Sequence, residues 1–250
     1  MNLADGPMVG LDTETTGVNT EEDRIVTATV VYSEPGQTSL IYNWLIDPGI
    51  DIPTSASDVH GVLTAVAQRD GMAPADALDQ IVRVLATHWT PDVPLVVYNA
   101  PYDLTLIDRE LSRHLGTWFG FKGPTLDPLT IDRAVDRYRR GKRTLTAVSE
   151  HYGVTLEAAH TSMADTQATV DVMRAIARKY PRVIGEVPLT VLDKQQKTWY
   201  HNWAMNFASY LIRSAHELSA DEEEKLRNDV QRIRADARHW PMIPRRITKE

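Results

Sequence analysis

Met8-Val9-Gly10-Leu11-Asp12-Thr13-Glu14-Thr15-Thr16-Gly17 decides the fold. Its first half is a short apolar run, which reads as a buried strand. Side chains alternate along a strand, so Asp12 and Glu14 fall on one face and Thr13 on the other. Two more segments have the same character. Leu95-Val96-Val97-Tyr98 is a second apolar run that ends at Asn99. Pro101 then opens a helix at a position that tolerates proline, and this places Asp103 in its first turn. Farther on, Ala164, Ala168, Val172 and Ile176 recur every four residues, the spacing of a buried helical stripe. Asp165 lies near the start of that helix, and His160 in the loop before it.

Singly, each of these residues has a plain reading. A DxE pair is common on solvated surfaces, and Asp103 or Asp165 alone can favour a helix dipole. His160 alone can be a loop histidine. Together, in order and each at the edge of a strand or helix, they read as a metal-dependent nuclease site. Phosphodiester cleavage needs a stabilised attacking oxygen and a stabilised leaving oxygen, and two cations can hold both. Hard divalent cations take oxygen ligands, which aspartate and glutamate supply. A neutral histidine is available near pH 7 to accept a proton from water.

The chain resembles the DEDDh subgroup of DEDD 3′–5′ exonucleases, the type of the epsilon proofreading subunit of bacterial DNA polymerase III. The matching motifs are Asp12-Thr13-Glu14-Thr15-Thr16-Gly17, Asn99-Ala100-Pro101-Tyr102-Asp103, and His160 with Asp165 after four residues. The sister DEDDy subgroup would place tyrosine where Thr161 stands. Asp58-Val59-His60-Gly61-Val62 resembles a further family segment. So does Leu126-Asp127 followed by Gly141 to Leu145 and Tyr152-Gly153. The likeness covers about residues 8–180. The stretch Asp136–Leu145 and the helix Gln196–Arg213, with Trp203 and Tyr210, resemble a set of actinobacterial and actinophage exonucleases. Tyr98 departs from relatives that carry histidine before the asparagine.

The resemblance implies a ribonuclease H-like fold, a mixed five-stranded sheet flanked by helices. It implies two divalent metal ions, Mg²⁺ or Mn²⁺. Asp12, Glu14 and Asp165 would surround the first and Asp12 would reach the second, with Asp103 acting largely through water. His160 would be the general base. The main chain around Thr13 and Thr15 would meet the terminal 3′-hydroxyl, and His60 and Asn99 would line the terminal nucleotide. The implied activity is release of nucleoside 5′-monophosphates from DNA 3′ ends, with single-stranded ends as the expected partner. An RNA-directed exoribonuclease and a non-catalytic nucleic-acid-binding module are the alternatives. A polymerase or replication partner is a further expectation.

The composition agrees with an enzyme. The 250 residues are 42% hydrophobic, enough for one domain and an extension. Without cysteine, disulfides and thiolate metal sites are excluded. No run approaches a membrane span, and MNLADGP lacks a signal pattern, so a cytoplasmic location is expected. The net charge of −7 is unevenly spread. Arg133, Arg137, Arg139, Arg140, Lys142 and Arg143 face only Asp136 over their stretch. Lys142 and Arg143 are candidate phosphate ligands, and a solvated helix face is the other reading.

The remaining pattern reads as α/β with a leading antiparallel meander. Strands are expected at Arg24–Tyr32 and Ser39–Ile46, turning at Pro35-Gly36. Pro74 opens a helix with Ala77, Ile81, Val84, Leu85 and His88 on one face. Shorter helices are expected at 128–139 and 144–151. The exonuclease domain takes residues 1–185, and a C-terminal helical hairpin takes 186–250. In that hairpin a long helix runs from Pro188 to about Leu218. A second starts at the capping box Ser219-Ala220-Asp221-Glu222. Trp199, Trp203, Phe207 and Tyr210 form an aromatic stripe on the long helix. The stripe either packs as a core face or stacks on single-stranded bases or a partner.

Overall fold

A computed structural model describes residues 2–156, 162–216 and 218–245. The strands are β1 (Met8–Thr15), β2 (Ile25–Ser33), β3 (Leu40–Leu45), β4 (Leu95–Val96) and β5 (Thr125–Leu126). The helices are α1 (Thr54–His60), α2 (Thr64–Asp70), α3 (Pro74–His88), α4 (Ala100–Leu115), α5 (Pro128–Val135), α6 (Leu145–Tyr152), α7 (Ser162–Lys179), α8 (Leu189–Ser214) and α9 (Ala220–Asp236). They form the mixed five-stranded sheet, flanked by helices, of the ribonuclease H-like fold. The strand order is β3-β2-β1-β4-β5. β1 pairs antiparallel with β2 and parallel with β4, which pairs parallel with β5.

β1 is central, and its alternation divides the core. Val9 and Leu11 pack with Leu95, Val97, Leu104 and Ile107 on the α3–α4 side. Met8 packs with Val96, Val170, Met173 and Ile176 on the α7 side. Gly10 lies on this second face and lets α7 come close. A Cβ there would stand 2.7 Å from the Thr166 Cγ2 methyl and 2.8 Å from that of Val170. Asp12 and Glu14 continue the same face toward the sheet edge.

The residues after 186 are tied into the sheet and helices of residues 1–185 on both sides. Gln196 of α8 is fully buried. Its Oε1 accepts from the Asp127 N–H at 2.7 Å, and its Nε2 donates to the Thr125 carbonyl at 2.9 Å. α8 thus covers the edge of β5. Past α9, the chain returns to α4. The Ile243 N–H donates to Thr105 Oγ1 at 2.9 Å, Arg245 Nε donates to Asp108 Oδ2 at 2.8 Å, and Arg109 donates to the Ile243 and Pro244 carbonyls. The C-terminal part is therefore a hairpin followed by a strap.

The aromatic stripe of α8 is half-buried rather than fully buried, and Trp199 packs against the core. The buried residues of α8 are Leu192, Gln196, Ala204 and Ala208, and Tyr210 is 56% exposed. α8 stops at Ser214, short of Leu218. The Ser219 capping box forms as the sequence predicts. Among the described residues, no helix is long and apolar enough to cross a membrane.

Candidate active site

Three devices bring the carboxylates to one edge of the sheet. The first is β1, whose pairing with β2 sets Asp12 opposite Thr29 and shifts register between Glu14 and Thr15. The second is the entry to α7. Thr29 Oγ1 lies 2.5 Å from Ser162 Oγ, so the first turn of α7, with Asp165, is pinned beside the strand position facing Asp12.

The third device is the turn into α4. Asn99 adopts φ 64°, a left-handed conformation uncommon for a residue with a side chain. Asp127 holds this turn by accepting from the Asn99 N–H at 3.0 Å, while also capping α5 through the Leu129 N–H at 3.0 Å. Asp103 then follows in the first turn of α4, 4% exposed. Its Oδ1 accepts from the Thr13 hydroxyl at 2.6 Å and the Thr13 N–H at 3.1 Å. Both donors of Thr13 thus serve Asp103, and Thr13 is a positioning residue here.

The electrostatics report convergence. Burial raises the Asp12 pKa, and Asp103, Glu14 and Asp165 raise it further. Glu14 is pushed up to about 7 by burial, then by Asp165 and Asp103. Asp103 rises to about 7 through burial, which outweighs its bonds from Thr13. The groups acting on Asp12 and Glu14 are thus carboxylates, and each makes the others harder to ionise. Hard oxygen donors with no cation among those causes fit divalent metal ions in chemistry and in charge. The fit rests on donor type, since no three His, Asp or Glu side chains among the described residues stand in ligating geometry.

The other expected site residues divide. Thr15 Oγ1 lies 2.6 Å from the Tyr102 hydroxyl, which donates to the Gly17 carbonyl at 2.5 Å and thereby ties the first motif to the second. Burial pushes the Tyr102 hydroxyl up to about 12, so it stays protonated. His60 sits beside the Thr15 main chain, and burial lowers its pKa. Its Nδ1 accepts from the Val62 N–H at 3.1 Å, and its buried Nε2 has no hydrogen-bond partner among the described residues. Asn99 shapes the turn. His160 and Thr161 lie outside the described residues.

Lys142 is exposed, but Arg143 is turned inward. Its guanidinium meets the fully buried Asp132 at 2.5 Å and the Asp136 carbonyl at 2.5 Å. Asp132 also takes Arg139 at 2.6 Å and the Tyr152 hydroxyl at 2.9 Å. This corrects the expectation of Arg143 as a phosphate ligand, because its charge already offsets a buried carboxylate. Arg143→Ala should therefore lower stability by about 2 kcal/mol, since it weakens the pairing of a buried charge. Lys142→Ala should change it by less than about 0.5 kcal/mol. Denaturant melts of the two variants check this.

Asp127 and Tyr102 escaped the sequence reading as positioning residues. The signals were there: an aspartate directly before Pro128 marks a helix cap, and Tyr102 adjoins Asp103 within its motif.

An exonuclease family model, RNase_T, matches residues 9–173. A DNA polymerase III subunit epsilon-like protein of Rhodobacter capsulatus is 31% identical over 179 residues, 68% of this chain and 24% of that protein. A PolC-type DNA polymerase III of Lacticaseibacillus paracasei is 25% identical over 192 residues, 77% of this chain and 13% of that protein. The chain thus spans a quarter or less of the length of these two relatives. In fold it is similar to E. coli exonuclease I in complex with a dT13 oligonucleotide. The TM-score is 0.59 at 18% identity, over 71% of this chain and 42% of that one.

Proposed function

We propose, because the chain belongs to the DEDDh exonuclease family, that it removes nucleoside 5′-monophosphates from the 3′ end of single-stranded DNA. The observation that carries this reading is the convergence of Asp12, Glu14, Asp103 and Asp165, each acting on the Asp12 pKa or acted on with it. These four side chains would hold two divalent ions, Mg²⁺ or Mn²⁺. When bound, such ions supply Lewis-acid stabilisation of the attacking and leaving oxygens of an in-line displacement.

The chain's own residues do the rest. Thr13 holds Asp103 with one oxygen fixed, leaving Oδ2 for the site. Tyr102 and Thr15 brace the loop where the terminal nucleotide would lie. His160 would accept the proton of the attacking water, a role that rests on its place in the third motif. The polymerase III names of the relatives support proofreading beside a polymerase. The oligonucleotide complex of exonuclease I supports a single-stranded substrate.

Digestion of 5′-labelled DNA and matched RNA oligonucleotides tests the reading. In Mg²⁺ the DNA should shorten stepwise from the 3′ end and release 5′-monophosphates, and EDTA should stop it. Shortening from the 5′ end, or activity that survives EDTA, would overturn it. Faster digestion of the RNA would reassign the sugar.

A further inference from the structure

The aromatic stripe of α8, half-buried at Trp199, Trp203 and Phe207 and exposed at Tyr210, forms one wall of a groove of about 990 Å³, whose other wall is the basic corner between α5 and α6. Its rings are ordered. Trp203 and Phe207 lie 5.4 Å apart and 9° from parallel, and Phe207 and Tyr210 lie 6.5 Å apart and 20° from parallel. The Arg133 guanidinium sits 3.7 Å from the Trp203 ring centre, a cation–π contact that starts the ladder. At its other end Tyr210 is 56% exposed, with Phe207 as its ring partner among the described residues.

The charge is one-sided. Arg133, Arg137, Arg139, Arg143 and Arg213 line the groove, and no aspartate or glutamate is among its described lining residues. Arg139 and Arg143 are engaged by Asp132. Arg137 and Arg213 are exposed and have no ion-pair partner among the described residues. In a chain of net charge −7, such a concentration of positive charge favours a polyanion. The groove also lies close to the catalytic edge. Asp127, which holds the Asn99 turn, caps the helix that carries Arg133 six residues later, roughly 9 Å along α5.

We propose that this groove is a second contact site for single-stranded polynucleotide, holding the strand several nucleotides from the cut. A base extends the ring ladder at Tyr210, and phosphates pair with Arg137 and Arg213. Aromatic stacking tolerates any base, and arginine pairs with any phosphate, so the site grips without reading sequence. The proposal rests on the nuclease reading for the identity of the strand's end, and on the groove alone for the grip.

Fluorescence anisotropy in EDTA, with labelled dT20, rU20 and dT5, isolates the grip from hydrolysis. Wild type should bind the 20-mers at least about tenfold tighter than dT5. Arg137→Glu/Arg213→Glu should lose that margin and reduce the slope of log affinity against log salt by about 1.4, or 0.7 for each single-strand contact. Tyr210→Ala should weaken 20-mer binding about tenfold, within the range for one stacked base. Wild type and 5-iodouracil-substituted dT20 should crosslink at Tyr210, which needs no variant. Preference for either sugar supports the site and identifies its strand. Equal binding of dT20 and dT5, or wild-type binding by the double arginine variant, overturns it and leaves a face for solvent or a protein. If wild type digests neither 20-mer in Mg²⁺ yet the variants lose binding, the nuclease reading fails and the groove stands. Normal digestion with unchanged variant binding removes the groove alone.

Discussion

Asp12→Asn should lower hydrolysis by about 10⁴-fold or more and, in the same molecule, raise the melting temperature in EDTA. The first effect follows from its place in the cluster, where it would touch both ions and help set the oxygens of the displacement. The second follows from repulsion. Asp12 is held above its ordinary pKa by burial and by three carboxylates, while Glu14 and Asp103 reach about 7. An unfolded carboxylate titrates near 4. Between about pH 4 and pH 7 the metal-free native state therefore binds more protons than the unfolded chain, and stability falls as pH rises through that window. Asparagine keeps the shape and removes one charge. Its advantage should vanish near pH 4 and reach about 3 °C or more at pH 8. Thermal melts in EDTA at both pH values, beside hydrolysis in Mg²⁺, check the pair of effects. A variant that digests DNA at the wild-type rate would end the site assignment.

His160→Ala should cost about 10²–10⁴-fold in rate, the range of a positioned acid–base group, and spare most of the affinity for metal. Ser162, two residues on, is pinned to Thr29, the strand partner of Asp12, and Asp165 acts on Asp12. An ordinary histidine gains its proton near pH 6.5 and is then no base. Wild-type activity should fall on the acid side of neutrality, and the variant should lose that limb of its profile. Calorimetric titration with Mn²⁺ separates base from ligand. If His160→Ala weakens Mn²⁺ binding as much as Asp165→Asn does, His160 is a ligand and the general base must be sought elsewhere.

The elements that carry the four carboxylates could be read from the sequence because each has a strongly marked boundary. β1 has an apolar run with clean alternation, α4 has proline at its start, and α7 has an unbroken stripe. The parts that escaped lack such marks. β5 is two residues long, too short to show a period, and exists because β4 and α8 flank it, whereas β4 falls within the apolar run at Leu95. α1 and α2 are seven residues each. The basic run around Arg143 shows charge but not direction, and only Asp132 inside the core reveals which arginines are committed. Aromatic spacing on α8 locates a face but not its covering. Ala204 and Ala208, the small residues, turned out to mark the buried side.

If the proposed activity holds, the pairing of β1 with β4, across some eighty intervening residues, bears on when the chain can act on nucleic acid. Asp12, Asp103 and Asp165 sit on elements that this parallel pair and the packing of α7 on Gly10 hold together. Long-range pairings of this kind form late, because loop closure precedes any reward from contact. A chain still on the ribosome with α7 inside the exit tunnel holds no complete charge cluster. Neither does a fragment separated by a cut between residues 14 and 165. Competence to hydrolyse should thus appear in a single step with global folding, and misfolded or clipped molecules should be harmless to the strands around them.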